Sequence, residues 1–497
     1  MVIRNKNAVL VVLGDIGRSP RMCYHAKSLA EKNYRVQIVG YVDTLPFPAI
    51  SKNPNIRLVG LRHPPDRISS LPSALMLVLK CIWTFGVLLF ALLFRVNWPL
   101  LILMQNPPGV PCMLACWMVA RVKHAQFIID WHNYTYSILR ETYGVEDLRL
   151  ERYTDRISGR IDDQSGTINS SNISDVRNRR MTKTERAALA TVSATCKKKR
   201  VVERRKRITL IQRFIEFAYS WEGFFGRRSD LNICVTHSMR RDLSDSWGIK
   251  SATLYDRPPA SIFHKLSVEE THTVFWELAN QSEEFKVFAE NDPKVLDAMD
   301  GDFTEVTKFS YRDGDGIAFL RDDRPLILMS STSWTEDEDF GLLLNALQSF
   351  DKVAGLSGKS NPQTRLPHLI CIITGRGPLK TYYMGRIEHL QMQNVQVITP
   401  WVDAEDYPRL LGSADIGVSL HTSTSGLDLP MKVVDMFGSG LPVLAKKFTC
   451  IGELVIDGQN GRLFDTSHEL CDLIKSLTCG FPLHSSVSLL DAYHSSS

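Results

Sequence analysis

The sequence predicts an α/β protein with two doubly wound, Rossmann-like domains that face each other across a cleft. Short hydrophobic strands alternate with amphipathic helices in both halves of the 497-residue chain. Small, hydroxylic or charged residues directly follow several of these strands, at the edge where parallel sheets bind ligands. The hydrophobic content of 44% is enough to bury a large core.

The first domain begins with a βαβ unit. A strand over Ala8–Leu13 leads into a glycine loop, and a helix follows with Ser19 as its cap and Pro20 at its first position. A second strand covers Val36–Val39. The Gly-x-x-Gly spacing of the loop is compatible with ligand binding, but such turns are also common in sheets that bind nothing.

A later strand of the same domain ends in polar residues. It covers Gln126–Asp130 and is followed by Trp131, His132 and Asn133. Side chains just past the end of a parallel strand lie where ligands bind. A lone histidine such as His132 at this position is more often structural than catalytic.

The segment Leu71–Phe94 is apolar enough for a membrane helix, because its only charge is Lys80. A true span would put Asp15 and Lys432 on opposite sides of the bilayer, which is incompatible with one shared active site. We therefore expect a helix that dips into one leaflet, with Lys80 and Arg95 reaching the head groups. A spanning helix and a buried core helix remain the alternatives.

A basic region interrupts the first domain. Between Val176 and Arg207 there are thirteen Lys or Arg against two Glu, with no aromatic residue among them. This composition predicts a disordered insertion that is attracted to anionic lipid or is foreign to the fold. The rest of the chain is mildly acidic, which argues against a nucleic-acid partner.

The second domain shows the clearest alternation of strands and helices. Its strand ends are followed by Ser330–Ser333, Thr374–Pro378 and His421–Asp428. A helix with Pro430 in its first turn would direct its positive dipole end at the last of these loops. We expect Asp428, Lys432 and Asp435 to share one face of that helix. The predicted boundaries are residues 1–145 and 213–260 for the first domain, 146–212 for the insertion, 261–322 for a helical linker, 323–480 for the second domain and 481–497 for a flexible tail.

The ten cysteines show no metal-binding spacing. We interpret them as reduced core residues of a cytosol-facing protein. No metal ligand set is visible in the sequence, and the first apolar run is typical of a core strand and not of a secretory signal.

Six segments together resemble the β-1,4-mannosyltransferase family of the dolichol pathway. They cover roughly residues 8–145 and 213–465 and occur in the family's order. They are GDIGRSPRM at 14–22, QNPPGVP at 105–111, DWHNY at 130–134, YDRPP at 255–259, SSTSWT with DEDF at 330–340, and the run from Gly426 to Val443.

The resemblance implies the two-domain glycosyltransferase-B fold and inverting transfer of mannose from GDP-mannose to chitobiosyl-diphosphodolichol. It also implies the endoplasmic reticulum membrane, with the catalytic domains and the bound lipid on the cytosolic side, and other enzymes of that pathway as potential partners. No tightly bound cofactor is expected, and a divalent metal would at most stimulate transfer.

The resemblance also suggests roles for individual residues. An inverting displacement needs a base for the acceptor hydroxyl, and His132, Asp15 and Asp130 remain open as candidates. The acceptor or its phosphate would lie against Gly14, Gly17 and Arg18. The donor would contact Ser331, Thr332, Gly375, Arg376, Gly377, Ser425, Gly426, Asp428, Lys432 and Asp435.

Three features differ from the family pattern. We expect that the chain lacks the family's N-terminal anchor and that the insertion has no counterpart in the family. We also expect the segment after Phe464 to be shorter than in related enzymes. Two alternatives therefore stay open: a weakly active or inactive variant that serves as a membrane-bound partner, and a transferase for another lipid-linked sugar. The oligomeric state is also open.

Overall fold

A computed structural model describes residues 6–65, 73–145, 211–298, 303–335, 338–357, 365–423 and 425–482. Most of the predicted insertion and of the predicted tail lies outside these residues. The chain divides into two compact units. The first contains Met1–Gly14, Gln37–Val42 and Leu58–Leu231, and the second contains Asp15–Val36, Asp43–Arg57 and Asn232–Ser497.

The N-terminal half forms a seven-stranded sheet with strand order β3-β2-β1-β4-β5-β6-β7. The pairs β1–β4, β4–β5 and β6–β7 are parallel. The run Ala8–Val12 is hydrophobic without alternation because both of its faces are buried. The strands are β1 Asn7–Asp15, β2 Arg35–Tyr41, β3 Ile56–Gly60, β4 Leu101–Asn106, β5 Gln126–Trp131, β6 Leu231–Cys234 and β7 Ala252–Thr253.

The helices of this half follow the predicted alternation. Pro20 occupies the first turn of the first helix, as predicted. Ser19 is at the N-cap position, but its hydroxyl donates to the carbonyl oxygen of Asp15 (3.2 Å) and does not cap the helix. The helices are α1 Pro20–Glu31, α2 Pro48–Ser51, α3 Ser73–Phe90, α4 Cys112–Val122, α5 Thr135–Thr142, α6 at residues 211–226 and α7 His237–Trp247.

The apolar helix α3 continues into a π-helical turn, Ala91–Arg95. Met76–Arg95 has a mean hydropathy of 2.4, and only 17% of it is buried, so the alternative of a buried core helix is wrong. Ile82 and Phe94 are 62% and 73% exposed. The Arg95 guanidinium donates to the carbonyl oxygen of Gly60 (2.6 Å). By length and composition, this helix is able to cross a membrane.

The C-terminal half contains a six-stranded parallel sheet with order β13-β12-β11-β14-β15-β16. Hydrophobic side chains pack on both faces of the sheet. The predicted alternation of strands and helices is confirmed. The strands are β11 Leu326–Ser331, β12 Leu369–Thr374, β13 Val395–Ile398, β14 Ile416–Ser419, β15 Val443–Lys446 and β16 Gly461–Phe464.

Between the two sheets in sequence, the structure shows an element that the sequence did not predict. Three short antiparallel strands form a sheet with order β10-β9-β8. The buried His272 bonds to Ser310 of this sheet (2.8 Å) and to Glu305 (3.0 Å). The strands are β8 Phe303–Val306, β9 Ser310–Asp313 and β10 Ala318–Leu320. The remaining helices are α8 Val268–Gln281, α9 Pro293–Ala298, α10 Phe340–Ser357, α11 Lys380–Glu388, α12 Asp406–Ser413, α13 Met431–Gly438 and α14 Ser467–Thr478.

Candidate active site

The loops that follow β11 and β12 in the C-terminal sheet pack directly on one another. The amide of Thr332, just after β11, donates to the carbonyl oxygen of Thr374 at the end of β12 (2.9 Å). A Cβ atom on Gly375 would lie 1.9 Å from the Thr332 carbonyl oxygen, and one on Gly377 would lie 1.7 Å from that of Ser333. Both glycines are therefore required for contact between the two loops, whether or not a ligand binds there.

Lys432 is the second residue of α13, and its partner was missed by the sequence analysis. Its Nζ atom lies 2.8 Å from Oε1 of Glu338, whose side chain is only 3% exposed. The same carboxylate accepts hydrogen bonds from the Thr332 hydroxyl and from the Ser333 amide (2.9 Å). Glu338 thus holds Lys432 beside the loop after β11. An ammonium group has three donors, so Lys432 can bind an anion as well as Glu338.

The start of α13 has the features of an anion site. Pro430 is the N-cap residue, and its side chain makes no capping hydrogen bond. The first amides of the helix and its positive dipole end are therefore not neutralised by a capping side chain. With Lys432 in the first turn, the site favours a phosphate group.

Asp428 does not lie on this helix, so the predicted common face of Asp428, Lys432 and Asp435 is wrong. Because α13 begins only at Met431, Asp428 belongs to the preceding loop. There its carboxylate accepts hydrogen bonds from the hydroxyls of Ser423 and Ser425, the latter at 3.2 Å. Gly426 lies between Ser425 and Asp428 in the chain. Its φ of +72° is a left-handed conformation that glycine adopts easily, and it turns the backbone of this loop.

Arg376 is exposed, and its guanidinium lies over an aromatic ring. Its guanidinium carbon is 3.7 Å from the ring centre of Trp401, which is 42% exposed. This cation–π contact fixes the direction of the guanidinium. The pair offers a charged, planar surface near the end of β12, and Trp401 was not among the predicted residues.

Asp435 is partly buried, and a second acid acts on it electrostatically. Burial, together with the charge of Asp256, raises the pKa of Asp435 to about 7. Asp256 itself accepts a hydrogen bond from the buried Arg21 (2.8 Å), which also bonds to the carbonyl oxygen of Leu254. Asp435 can therefore act as a hydrogen-bond donor or acceptor for hydroxyl groups near neutral pH.

Ser331, the last residue of β11, completes the predicted donor residues. Its hydroxyl donates to that of Tyr407 at 3.0 Å. Burial and the charge of Asp435 raise the pKa of Tyr407, so this phenol stays neutral. The C-terminal sheet edge thus brings hydroxyl groups within electrostatic reach of the partly buried Asp435.

The Asp15 carboxylate stabilises the backbone of the loop in which it lies and of the segment at Asp43 and Thr44. Its carboxylate accepts hydrogen bonds from the amides of Gly17 (3.3 Å), Asp43 (3.2 Å) and Thr44 (3.0 Å), and Arg18 pairs with it at 3.5 Å. Burial acts to raise the pKa of Asp15, but the hydrogen bonds from Thr44, Gly17 and Asp43 together lower it. Such a carboxylate is a weak base.

The glycines of the first loop have different environments. A Cβ atom on Gly17 would lie 2.4 Å from the carbonyl oxygen of Thr44, so contact within the protein already requires this glycine. Gly14, within β1, has room for a side chain.

His132 and Asp130 form a pair at the end of β5. The Nε2 atom of His132 is 3.0 Å from Oδ2 of Asp130, a carboxylate with no exposed surface. The His132 side chain is 21% exposed. The buried acid can orient the imidazole, while the imidazole stays accessible. Of the three predicted bases, His132 has the geometry that fits best.

No group of three His, Cys, Asp or Glu side chains suited to a metal ion occurs in the described part of the chain. The expected independence from a metal stays a prediction.

Comparison with known proteins identifies the class of enzyme to which this chain belongs. Residues 326–479 match the family model for glycosyl transferases group 1. The structure of Anabaena HepE in complex with UDP and glucose is similar in fold, with a TM-score of 0.53 and 12% identity, over 98% of this chain and 93% of that one. The two parallel sheets and these matches define a glycosyltransferase with the glycosyltransferase-B fold.

Two relatives that match almost the whole chain identify the family within this class. The human chitobiosyldiphosphodolichol beta-mannosyltransferase is 38% identical over 96% of this chain and 85% of its own length. The Arabidopsis thaliana UDP-glycosyltransferase TURAN is 35% identical over 96% of this chain and 89% of its own length. The chain therefore belongs to the chitobiosyldiphosphodolichol β-mannosyltransferase family.

Proposed function

We propose that the protein transfers mannose from GDP-mannose to chitobiosyl-diphosphodolichol, with inversion at the sugar carbon. The observation that supports this most strongly is the 38% identity, over 96% of the chain, to a human relative whose name states the acceptor and the β-mannosyl product. The residues around Lys432 and the His132–Asp130 pair both fit such a transfer.

Inversion requires one direct displacement. The acceptor hydroxyl attacks the mannose carbon from the face opposite GDP while a base removes its proton. His132 takes this proton. Asp130, 3.0 Å from its Nε2 atom, orients the ring and stabilises the imidazolium that results.

The leaving GDP carries negative charge that develops in the transition state. Lys432 and the first amides of α13 stabilise its diphosphate, and Glu338 keeps Lys432 in place. Arg376, fixed on Trp401, contacts the nucleotide. Asp435 binds a ribose or sugar hydroxyl, and Asp428 with its serine partners binds the mannose.

The exposed apolar helix α3 fits a lipid-linked acceptor. Its outer surface contains Val78, Ile82 and Phe90, each more than half exposed, and Phe94 and Trp98 extend this surface. We propose that this surface enters the cytosolic leaflet of the endoplasmic reticulum membrane and brings the enzyme to its acceptor.

A transfer assay tests the proposal. The protein, purified in detergent, is given GDP-mannose and a chitobiosyl-diphosphate lipid analogue. The wild type should form product, and Lys432→Ala should lose it at least a hundredfold. Lys447→Ala is the matched control, since Lys447 pairs only with the exposed Asp465 among the contacts described for it. Transfer from a UDP-sugar and none from GDP-mannose would overturn the donor assignment.

A further inference from the structure

Glu222 is a buried acid that the proposed mechanism does not use. It lies on α6, and its side chain has no exposed surface. Burial raises its pKa to about 7, although hydrogen bonds from Asn106, Thr135 and Tyr136 act in the opposite direction. Among the described residues no ion pair with Glu222 is found, and burying a carboxyl is costly unless hydrogen bonds compensate for the lost water.

The first partners of Glu222 are the opening amides of α5. The amide of Thr135 donates to Oε1 at 2.7 Å, and that of Tyr136 lies 3.4 Å from Oε2. The N-cap residue, Tyr134, provides no side-chain cap. Glu222 therefore supplies from α6 the acceptor that an N-cap side chain usually provides, and it stabilises the positive end of this helix.

The third partner extends the network to the His132 loop. Nδ2 of the buried Asn106, at the end of β4, donates to Glu222 at 2.8 Å and to the carbonyl oxygen of Asn133 at 3.0 Å. The Asn106 carbonyl oxygen accepts from the amide of His132 at 2.9 Å. Asn106 thus holds His132 and Asn133 of the loop by hydrogen bonds, and Glu222 holds Thr135, the residue that follows the loop.

We propose that Glu222 is a positioning residue, which fixes the backbone of the four-residue segment Trp131–Tyr134 so that His132 is held where it accepts the acceptor proton. This inference rests on the proposed function, because it assigns a purpose to the position of His132. Glu222 itself does not contact substrate. It acts through Thr135 and Asn106, whose side chains also meet at 3.4 Å.

Two substitutions separate positioning from simple packing. Glu222→Gln keeps the shape and an oxygen acceptor for Thr135 and Asn106. Glu222→Leu keeps a similar volume but removes the acceptor of the Thr135 amide and one of the two acceptors of the Asn106 amide group. Glu216→Leu is the matched control, since Glu216 is exposed on the same helix.

The first readout is transfer kinetics per folded molecule, counted by size-exclusion chromatography and cooperative thermal unfolding. Glu222→Leu should lower kcat at least tenfold and change the KM for GDP-mannose less than twofold. Glu222→Gln should stay within threefold of the wild type, and Glu216→Leu should match it. A wild-type kcat in Glu222→Leu would overturn the proposal.

The second readout does not need activity. Hydrogen exchange of peptides covering residues 132–138 should be at least tenfold faster in Glu222→Leu and unchanged in Glu222→Gln. If the wild type transferred no mannose, the proposed function would fail, and this comparison would still decide whether Glu222 holds the loop. Equal exchange in the wild type and Glu222→Leu would overturn the positioning role.

Discussion

Lys432 and Glu338 form an ion pair with an Nζ–Oε1 distance of 2.8 Å, and the glutamate side of this pair is almost entirely buried. The pair joins the first turn of α13 to the loop after β11. Because Glu338 also accepts hydrogen bonds from Thr332 and Ser333, one carboxylate fixes both the cation and the loop. We infer that it sets the geometry of the diphosphate site.

Glu338→Gln should therefore weaken nucleotide binding. The neutral amide no longer attracts Lys432, which becomes free to move away from the phosphate position. We expect the Kd for GDP to rise about tenfold, which corresponds to about 1.4 kcal/mol. Isothermal titration calorimetry measures this change, and Asp465→Asn, which removes an exposed partner of Lys446, provides the control. An unchanged Kd would show that Glu338 is not needed for the site.

His132→Ala and Asp130→Asn should impair chemistry and leave nucleotide binding intact. Loss of a general base typically costs a factor of about 10² to 10⁴ in rate. We expect a kcat loss of about that size for His132→Ala and a smaller loss for Asp130→Asn, with the Kd for GDP unchanged. Steady-state kinetics and calorimetry on the same samples measure both quantities. A kcat within twofold of the wild type in His132→Ala would contradict its assignment as the base.

Asp435 should make the protein less stable as the pH rises. Its folded-state pKa of about 7 lies above the ordinary value of 3.8, so the folded state keeps a proton that the unfolded state releases. The penalty is absent below about pH 4, grows between pH 4 and 7, and is complete above pH 7. Asp435→Asn should remove this penalty, which is on the order of a few kcal/mol at most.

Urea unfolding between pH 5 and 8 measures this effect. The free energy of unfolding of Asp435→Asn should increase relative to that of the wild type as the pH rises through this range. A difference between the two proteins that stays constant with pH would show that Asp435 is not protonated in the folded protein.

Ile82→Asp and Phe94→Asp should reduce binding to lipid vesicles. Both side chains are more than 60% exposed on the apolar surface of α3 and its π-helical extension, so neither change disturbs a packed core. A charge at the lipid interface opposes insertion. We expect at least a tenfold loss of vesicle binding in flotation assays. Leu45→Asp, at an apolar residue that is 73% exposed elsewhere, should bind like the wild type.

The parallel sheets were predictable because their strands are hydrophobic on both faces and end in loops with a distinct composition. Asp130, His132 and Lys432 were predicted as site residues from their positions after strands or at a helix start, and these roles stay predictions. The sheet formed by β8, β9 and β10 was not found, since its strands have only three or four residues and no clear alternation. The common face of Asp428, Lys432 and Asp435 was predicted wrongly, because the helical spacing was applied to Asp428, which precedes the first residue of α13.

Buried acids were the main omission from the predicted site. Glu338 and Glu222 resemble ordinary helix or loop residues in the sequence, and only the tertiary fold removes them from water. Their partners are separated from them by 94 residues for Lys432 and by 116 residues for Asn106. No local sequence pattern predicts such contacts.

The stereochemistry of the transferred sugar tests the central claim most directly. GDP-mannose with α configuration is incubated with the purified protein and the chitobiosyl-diphosphate lipid analogue, and the anomeric configuration of the new linkage is determined by NMR. We expect a β-linked mannose on the chitobiosyl unit, formed by the wild type and lost in Lys432→Ala. An α-linked product, or no transfer by a folded protein that binds GDP-mannose, would contradict it.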